Sequence, residues 1–281
     1  MRLVNFERKG ERCLGALHGE TVVDLSDSGL PNDTIDLIAQ WDLAKAEHAV
    51  GQGSRMPLAG VRLLAPILPR KNIIAVGRNY RDHAREFSDS GFDASEKQMI
   101  PEHPVIFTKA PTAVIGPDES IVLANDPTGT TDYEGEMAVV IGRTARNISP
   151  EEALDHVFGW TIVNDVTARA LQDKNAGYTR AKGFDTFAPL GPCIAQGLDY
   201  SRPEGLRVEG LVNGTVRQNS STKELIFTIP MVIAFISNIM TLLPGVVIAT
   251  GTPTGIGPLN AGDTVTIRVE GVGELTNEVH P

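Results

Sequence analysis

The stretch Thr131-Asp-Tyr-Glu-Gly-Glu-Met-Ala-Val-Val-Ile-Gly142 sets acids at 132, 134 and 136 directly before an apolar run. On a strand, residues i, i+2 and i+4 share one face. The spacing therefore predicts up to three carboxylates side by side at the margin of a core. Burying like charges unpaired is costly. A hard divalent cation, Mg²⁺, Mn²⁺ or Ca²⁺, would turn that repulsion into coordination by oxygen; a solvent-facing polar stripe is the alternative. Asp165 ends the strand-like Trp160-Thr-Ile-Val-Asn-Asp165, where it is either a further ligand or the N-cap of a following helix. Gln172 stands seven residues on, two helical turns, which would place it on the same face.

Three other stretches carry reactive side chains. In Val76-Gly-Arg-Asn-Tyr-Arg-Asp-His-Ala-Arg-Glu86, a helix would let His83 and Glu86 touch at i, i+3. A carboxylate that orients an imidazole raises its basicity and suits it to activate water; a solvated helix pair is the plainer alternative. Lys182 lies in Ala-Lys-Gly-Phe-Asp-Thr-Phe-Ala-Pro-Leu-Gly-Pro192, where a surface charge is the default reading. Ala249-Thr-Gly-Thr-Pro-Thr-Gly-Ile-Gly257 could turn backbone N–H groups toward an anion or be a simple turn. It has neither the lysine of a phosphate loop nor a dinucleotide fingerprint.

The elements that must position these residues are mostly strands. Asn72-Ile-Ile-Ala-Val-Gly77, Val105–Lys109, Glu134–Ile141 and Trp160–Asn164 read as four of them. Leu206–Val212, Asn213-Gly214 and Thr215–Gln218 read as a hairpin on a primed turn. Thr264–Glu270 alternates as a strand before the turn Gly271-Val-Gly273. Helices are expected at Asp36–Ala44, at Ser149–Gly159, which has an N-cap Ser, an early Pro and a terminal Gly, and at Val166–Asp173. A polar loop from Ser88 to His103 is long enough for a lid. Pro66, Pro69 and Arg70-Lys71 mark a boundary, giving a small N-terminal α+β unit at 1–68 and a catalytic unit at 69–281.

Composition sets limits. The chain has 281 residues, 41% hydrophobic and 21% charged, ample for a large core. A net charge of −10 argues against a nucleic-acid surface. Cys13 and Cys193 suit neither a metal motif nor a disulfide framework. The first residues lack a signal-peptide core, so a reducing cytoplasm is the expected compartment. The long apolar run Ile229–Ala249 is divided by Pro230, Asn238, Pro244 and Gly245, which predicts a buried helix and then a buried strand, not a membrane span.

Taken in order, Gly77-Arg-Asn-Tyr-Arg-Asp-His83, Asp132-Tyr-Glu-Gly-Glu136, Asn164-Asp165, Lys182–Pro192, Val212-Asn-Gly and Thr250-Gly-Thr-Pro253 resemble the fumarylacetoacetate hydrolase family over about residues 70–280. The resemblance implies an α+β, β-rich fold: a mixed β-sandwich roll with a small N-terminal α+β domain, usually paired as a homodimer. It implies that Glu134, Glu136 and Asp165 hold Mg²⁺ or Mn²⁺, with Ca²⁺ able to take the place in a crystal. Some members add a carboxylate seven residues before the dyad histidine; that position here is Val76. Asp132 matches the motif without being counted as a ligand. The implied substrate is a small 2-oxo or 2,4-dioxo acid, with Gln172 and Lys182 on its oxo or enolate oxygens, Thr252 on its carboxylate, and Arg78 on a distal carboxylate.

By the same resemblance His83 and Glu86 form a lid-borne dyad that activates water for C–C hydrolysis, the ion and Lys182 stabilising the leaving enolate. A hydrolase of acylpyruvate-like or diketo-sugar acids is the first expectation. Decarboxylase or isomerase action on oxaloacetate-type or aromatic-degradation acids, a ureidoglycolate lyase-like activity and sugar-acid dehydration are alternatives at the same site. A non-catalytic oxo-acid or Ca²⁺ binder is the alternative of another class. Two departures touch the substrate: Pro244-Gly-Val246 replaces a common Pro-Gly-Asp, and around the lysine this chain has Tyr178-Thr-Arg-Ala-Lys-Gly183 where many relatives have a Trp and a Gly-Lys-Ser.

Overall fold

Long alternating runs rich in Val and Ile dominate the chain, and among the described residues they pair into three sheets. The computed structural model describes residues 1–82, 100–172, 178–202 and 204–281. His83 and Glu86, and most of the expected lid, lie outside the described residues.

The largest sheet runs, edge to edge, through Arg55–Pro57, Thr21–Asp24, Glu11–His18, Arg2–Arg8, Ala188–Ala195, Val157–Asn164, Gly135–Ile141, Val247–Ala249, Ile73–Gly77 and Val105–Lys109. Neighbours on this path are antiparallel except Val247–Ala249 and Ile73–Gly77, which run parallel. Val114–Ile115 adds a second parallel pairing, on Ala188–Ala195. The strands of the first 68 residues hydrogen-bond into this same sheet, with Leu3 opposite Ile194. A second sheet holds Thr215–Ser221, Arg207–Val212, Thr264–Val269, Gly273–His280 and Ile121–Val122. A small third one joins Thr167–Ala168, Thr131–Tyr133 and Gly257–Pro258. The outcome is the β-rich, mixed-sheet architecture expected from the sequence.

Gly135–Ile141 is apolar at every position after Glu136 because both its faces are covered. Met137, Val139 and Ile141 pack with Trp160, Val208 and Ile267 between the two larger sheets. Ala138 and Val140 face the other way, toward Leu3, Leu14, Val23, Ile35 and Ile38 of the N-terminal unit. Two-sided burial gives a continuous apolar run where one-sided burial would give alternation. The N-terminal contribution includes Trp41, which meets Phe158 edge-on at 4.9 Å between ring centroids.

Several elements differ from the expectation. The 36–44 stretch is two helices, Thr34–Ala39 and Leu43–Gln52, capped by Asp33 and Asp42. Ser149–Gly159 is not a helix: a 3₁₀ turn at Ala153–His156 leads straight into the strand Val157–Asn164. Its start signals are real, since Glu152 accepts from the Ser149 N–H at 2.9 Å, but strand pairing claims the residues that follow. Val166–Asp173 is likewise not helical within its described part; Thr167–Ala168 pairs with Thr131–Asp132 and a 3₁₀ turn follows at Arg169–Leu171. The run 229–249 is helix Ile229–Ile239 and then strand Val247–Ala249, as read from its breakers. No helix among the described residues is long and apolar enough to cross a membrane. The hairpin turn Asn213-Gly214 has φ of 51° and 75°, the positive pair that a primed turn demands.

Candidate active site

The acids at 132, 134 and 136 do not share one strand face. The chain breaks at Glu134: Thr131–Tyr133 belongs to the small sheet and Gly135–Ile141 to the large one. Polar bonds across the break hold it. The Glu134 N–H donates to Asn164 Oδ1 at 2.9 Å, and the Asp165 N–H donates to the Glu134 carbonyl at 2.8 Å. This kink parts Asp132 from the other two acids. Asp132 goes to Arg169 Nε at 2.8 Å, while Glu134, Glu136 and Asp165 converge, each buried, with one carboxylate oxygen from each within 4.8 Å of the others.

Among the described residues, three buried cations pair with carboxylates of that cluster or with Asp132 beside it. Lys182, on the short helix Thr179–Lys182, donates to Glu134 Oε2 (2.9 Å), Asp165 Oδ2 (2.6 Å) and the Thr167 hydroxyl (2.8 Å). Its Nζ also lies 4.9 Å from the Phe107 ring centroid. Arg169 reaches Glu134 Oε1 and Gln172 Oε1, both at 2.6 Å, besides Asp132. Lys109 lies 2.6 Å from Asp165 Oδ1 and donates to the Val166 carbonyl at 3.0 Å. Sequence reasoning missed Lys109 and Arg169. Their signals were faint: a lysine closing a buried strand, and an arginine four residues after Asp165.

The electrostatics follow from burial and neighbours. Burial, then Asp165 and Glu134, push the Glu136 carboxyl well above its ordinary range; its one backbone donor among the described residues is the Gly251 N–H at 2.7 Å. Burial alone would lower Lys182, but Asp165 and Glu134 hold it above its ordinary value. For Lys109 burial prevails over Asp165, and its value falls. Asp132 is raised by burial despite Arg169. Among the described residues Glu134, Asp132 and Asp165 pair with Arg169, Lys182 and Lys109, whereas Glu136 has no ion pair. Hard oxygen donors from three buried carboxylates converging within 4.8 Å, one of them an Asp165 oxygen that accepts no hydrogen bond, fit a divalent cation of the Mg²⁺ or Mn²⁺ kind.

The cavity beside the cluster is lined on its polar side by Glu134, Glu136, Arg169, Gln172, Lys182 and Thr252, and on its other side by Val76, Gly77, Arg78, Phe107 and Tyr178. Gln172 therefore meets the acids from a turn, not from a shared helix face. Its oxygen is taken by Arg169, which leaves its NH₂ as the donor end. Thr252 donates its hydroxyl to the Gly135 carbonyl (3.0 Å) and accepts from Gln218 (2.8 Å). Arg78 is buried with φ of 55°. The described residues thus bring Glu134, Glu136, Asp165, Lys182, Gln172, Thr252 and Arg78 to one place.

Comparison with known proteins shows the family. The model of the fumarylacetoacetate (FAA) hydrolase C-terminal family matches residues 72–280. Oxaloacetate tautomerase YisK of Bacillus subtilis is 42% identical over 270 residues, covering 89% of this chain and 87% of that protein. The crystal structure of 2-hydroxyhepta-2,4-diene-1,7-dioate isomerase from Mycobacterium marinum superposes with a TM-score of 0.78 at 38% identity, covering 100% of this chain and 98% of that one. Maleylpyruvate hydrolase from Sphingobium sp. SYK-6, solved with manganese(II) and pyruvate, gives 0.82 at 32% identity, with 100% and 99% covered. The chain belongs to the fumarylacetoacetate hydrolase family of enzymes.

Proposed function

We propose that this chain is a divalent-metal-dependent enzyme that acts on a small 2-oxo acid by stabilising its enolate. The observation that carries the reading is the buried convergence of Glu134, Glu136 and Asp165 with the Lys182 ammonium among them. A cation held by the three carboxylates would supply a Lewis acid for the 2-oxo and carboxylate oxygens. Lys182 would set its positive charge where the enolate oxygen develops. All three of its N–H bonds are engaged, so reaching a substrate requires releasing one, and the neutral Thr167 hydroxyl is the partner most readily exchanged. Gln172 would offer its NH₂ while Arg169 holds its oxygen. Thr252 could donate its hydroxyl to a substrate carboxylate only by turning away from Gly135.

Hydrolysis of a 2,4-dioxo acid is the reaction we put first. His83, held by Glu86, would take a proton from water, whose oxygen bonds to C4. The C3–C4 bond would break, its electron pair passing to a pyruvate enolate that is then protonated at C3. A carboxylic acid and a 2-oxo acid result. Keto–enol tautomerisation of an oxaloacetate-type acid is the second reading, favoured by the 42% identity to a protein named oxaloacetate tautomerase. It needs the same enolate stabilisation without attack by water. Purified protein with Mn²⁺ should cleave acetylpyruvate, and EDTA should abolish that turnover. Tautomerisation of oxaloacetate without cleavage of any dioxo acid would select the second reading. No metal-dependent turnover of either kind would end both.

A further inference from the structure

Asp165 is gripped by two lysines, one on each oxygen, and only Lys182 has a part in the substrate chemistry above. Lys109 closes the edge strand Val105–Lys109, just before the chain turns at Pro111–Ala113 and crosses to Val114–Ile115. Three strands of the large sheet lie between its strand and Val157–Asn164, yet its Nζ reaches the segment that follows the latter. The side chain is wholly buried, as is Asp165. Its two contacts, Asp165 Oδ1 and the Val166 carbonyl, tie the carboxylate to the backbone of the next residue. Asp165 Oδ1 accepts no hydrogen bond among the described residues, so the Lys109 ammonium holds it as an ion pair at 2.6 Å. Oδ2 lies on the Glu134 side, because the ammonium that takes it also takes Glu134 Oε2.

We propose that Lys109 is a positioning residue that restricts Asp165 to one ligating oxygen, and so biases the site toward Mg²⁺ and Mn²⁺ over Ca²⁺. The inference rests on the reading that Glu134, Glu136 and Asp165 hold a divalent ion. Small octahedral cations take one oxygen from each carboxylate at short distance, whereas Ca²⁺ gathers more oxygens and often takes both from one carboxylate. An Asp165 with Oδ1 committed to a buried ammonium lacks the second oxygen that Ca²⁺ would recruit. Removing the lysine frees that oxygen. It also removes a positive charge, but that change acts on every divalent ion with the same sign and similar size. The ratio of two affinities therefore reports how many oxygens Asp165 gives, apart from the charge.

The test is calorimetric titration of the metal-stripped full chain with Mn²⁺ and with Ca²⁺, for the natural protein, K109M and K109R. In K109M the preference for Mn²⁺ over Ca²⁺ should shrink by about tenfold or more, following the coordination preferences of the two ions. K109R, which keeps a cationic donor, should retain the natural preference. An unchanged ratio in K109M, or an equal shift in K109R, overturns the proposal. Should K109M fail to fold, crystals of the natural protein with Mn²⁺ decide the matter: Lys109 should stay on Oδ1 and only Oδ2 should meet the ion. Both oxygens on Mn²⁺ would overturn the positioning role while leaving the metal site intact. If no ion binds to these carboxylates at all, the functional reading itself fails.

Discussion

Charge compensation governs the site at the scale of single residues. Glu134 and Asp165 each bond buried cations directly, whereas Glu136 feels Lys182 without a direct bond, beside two like charges and, among the described residues, one backbone N–H. Lys182 is the cation shared between two of the proposed metal ligands, which separates two roles that mutation can part. Lys182→Met keeps the length and apolar stem of the side chain but loses its charge. The cluster becomes more negative, so Mn²⁺ should still bind, at least as tightly as before. Turnover should drop by about 10²–10³, the usual cost of losing one donor to a developing oxyanion. Calorimetry beside steady-state kinetics checks both halves; loss of Mn²⁺ binding would mean that Lys182 serves only to build the site.

At the scale of elements, the strand end Val247–Ala249 and its continuation deliver the backbone side of the site. Thr250 bonds the Met137 carbonyl through its N–H and its hydroxyl, at 3.1 and 2.8 Å, and the next N–H, from Gly251, reaches Glu136. Gly251 has φ of 104°, and an added Cβ would stand 2.8 Å from Asn79 Cβ and 3.2 Å from the Val76 carbonyl. Asn79 cannot simply retreat, since its side chain bonds the Thr250 and Phe227 carbonyls and the Phe227 N–H. Gly251→Ala should therefore cost about 1–3 kcal/mol, combining overpacking with backbone strain. Thermal unfolding would show it as a lowered midpoint, and Mn²⁺ affinity should fall because the donor to Glu136 shifts. A midpoint equal to that of the natural protein would show that the loop yields freely.

Strands at this scale were legible in the sequence. Val105–Lys109 appears with the expected bounds, and Ile73–Gly77 and Thr264–Val269 lie within a residue of theirs. Alternation or a short apolar run between breakers suffices for such elements. The expected helices at 149–159 and 166–173 failed for a common reason. Local start signals can be satisfied by one turn, and in both places the backbone bonds that follow go to strands distant in sequence. The interruption at Glu134 was hidden for a different reason. It depends on Asn164, thirty residues away, accepting from the Glu134 N–H.

For the whole molecule, a net charge of −10 opposes an anionic substrate. Lys109, Lys182 and Arg169 are already paired with Asp165, Glu134 and Asp132, so the proposed divalent ion would have to supply the local positive field. The sequence could show which acids were close in number but not which cations would meet them. Arg169 and Lys109 take their meaning from a turn and from an edge strand that only the folded sheet brings to the acids. Short strands and a helical stretch in the first 68 residues were likewise visible, while their place, extending the large sheet and covering the face of Ala138 and Val140, was not.

One measurement bears on all of this most directly. Crystals grown with Mn²⁺ and examined for anomalous scattering at the manganese edge should show a single strong peak within about 2.3 Å of oxygens from Glu134, Glu136 and Asp165, a range typical of hard divalent ions on carboxylates. A map with no peak between those three side chains, while the protein is fully active, would contradict the account.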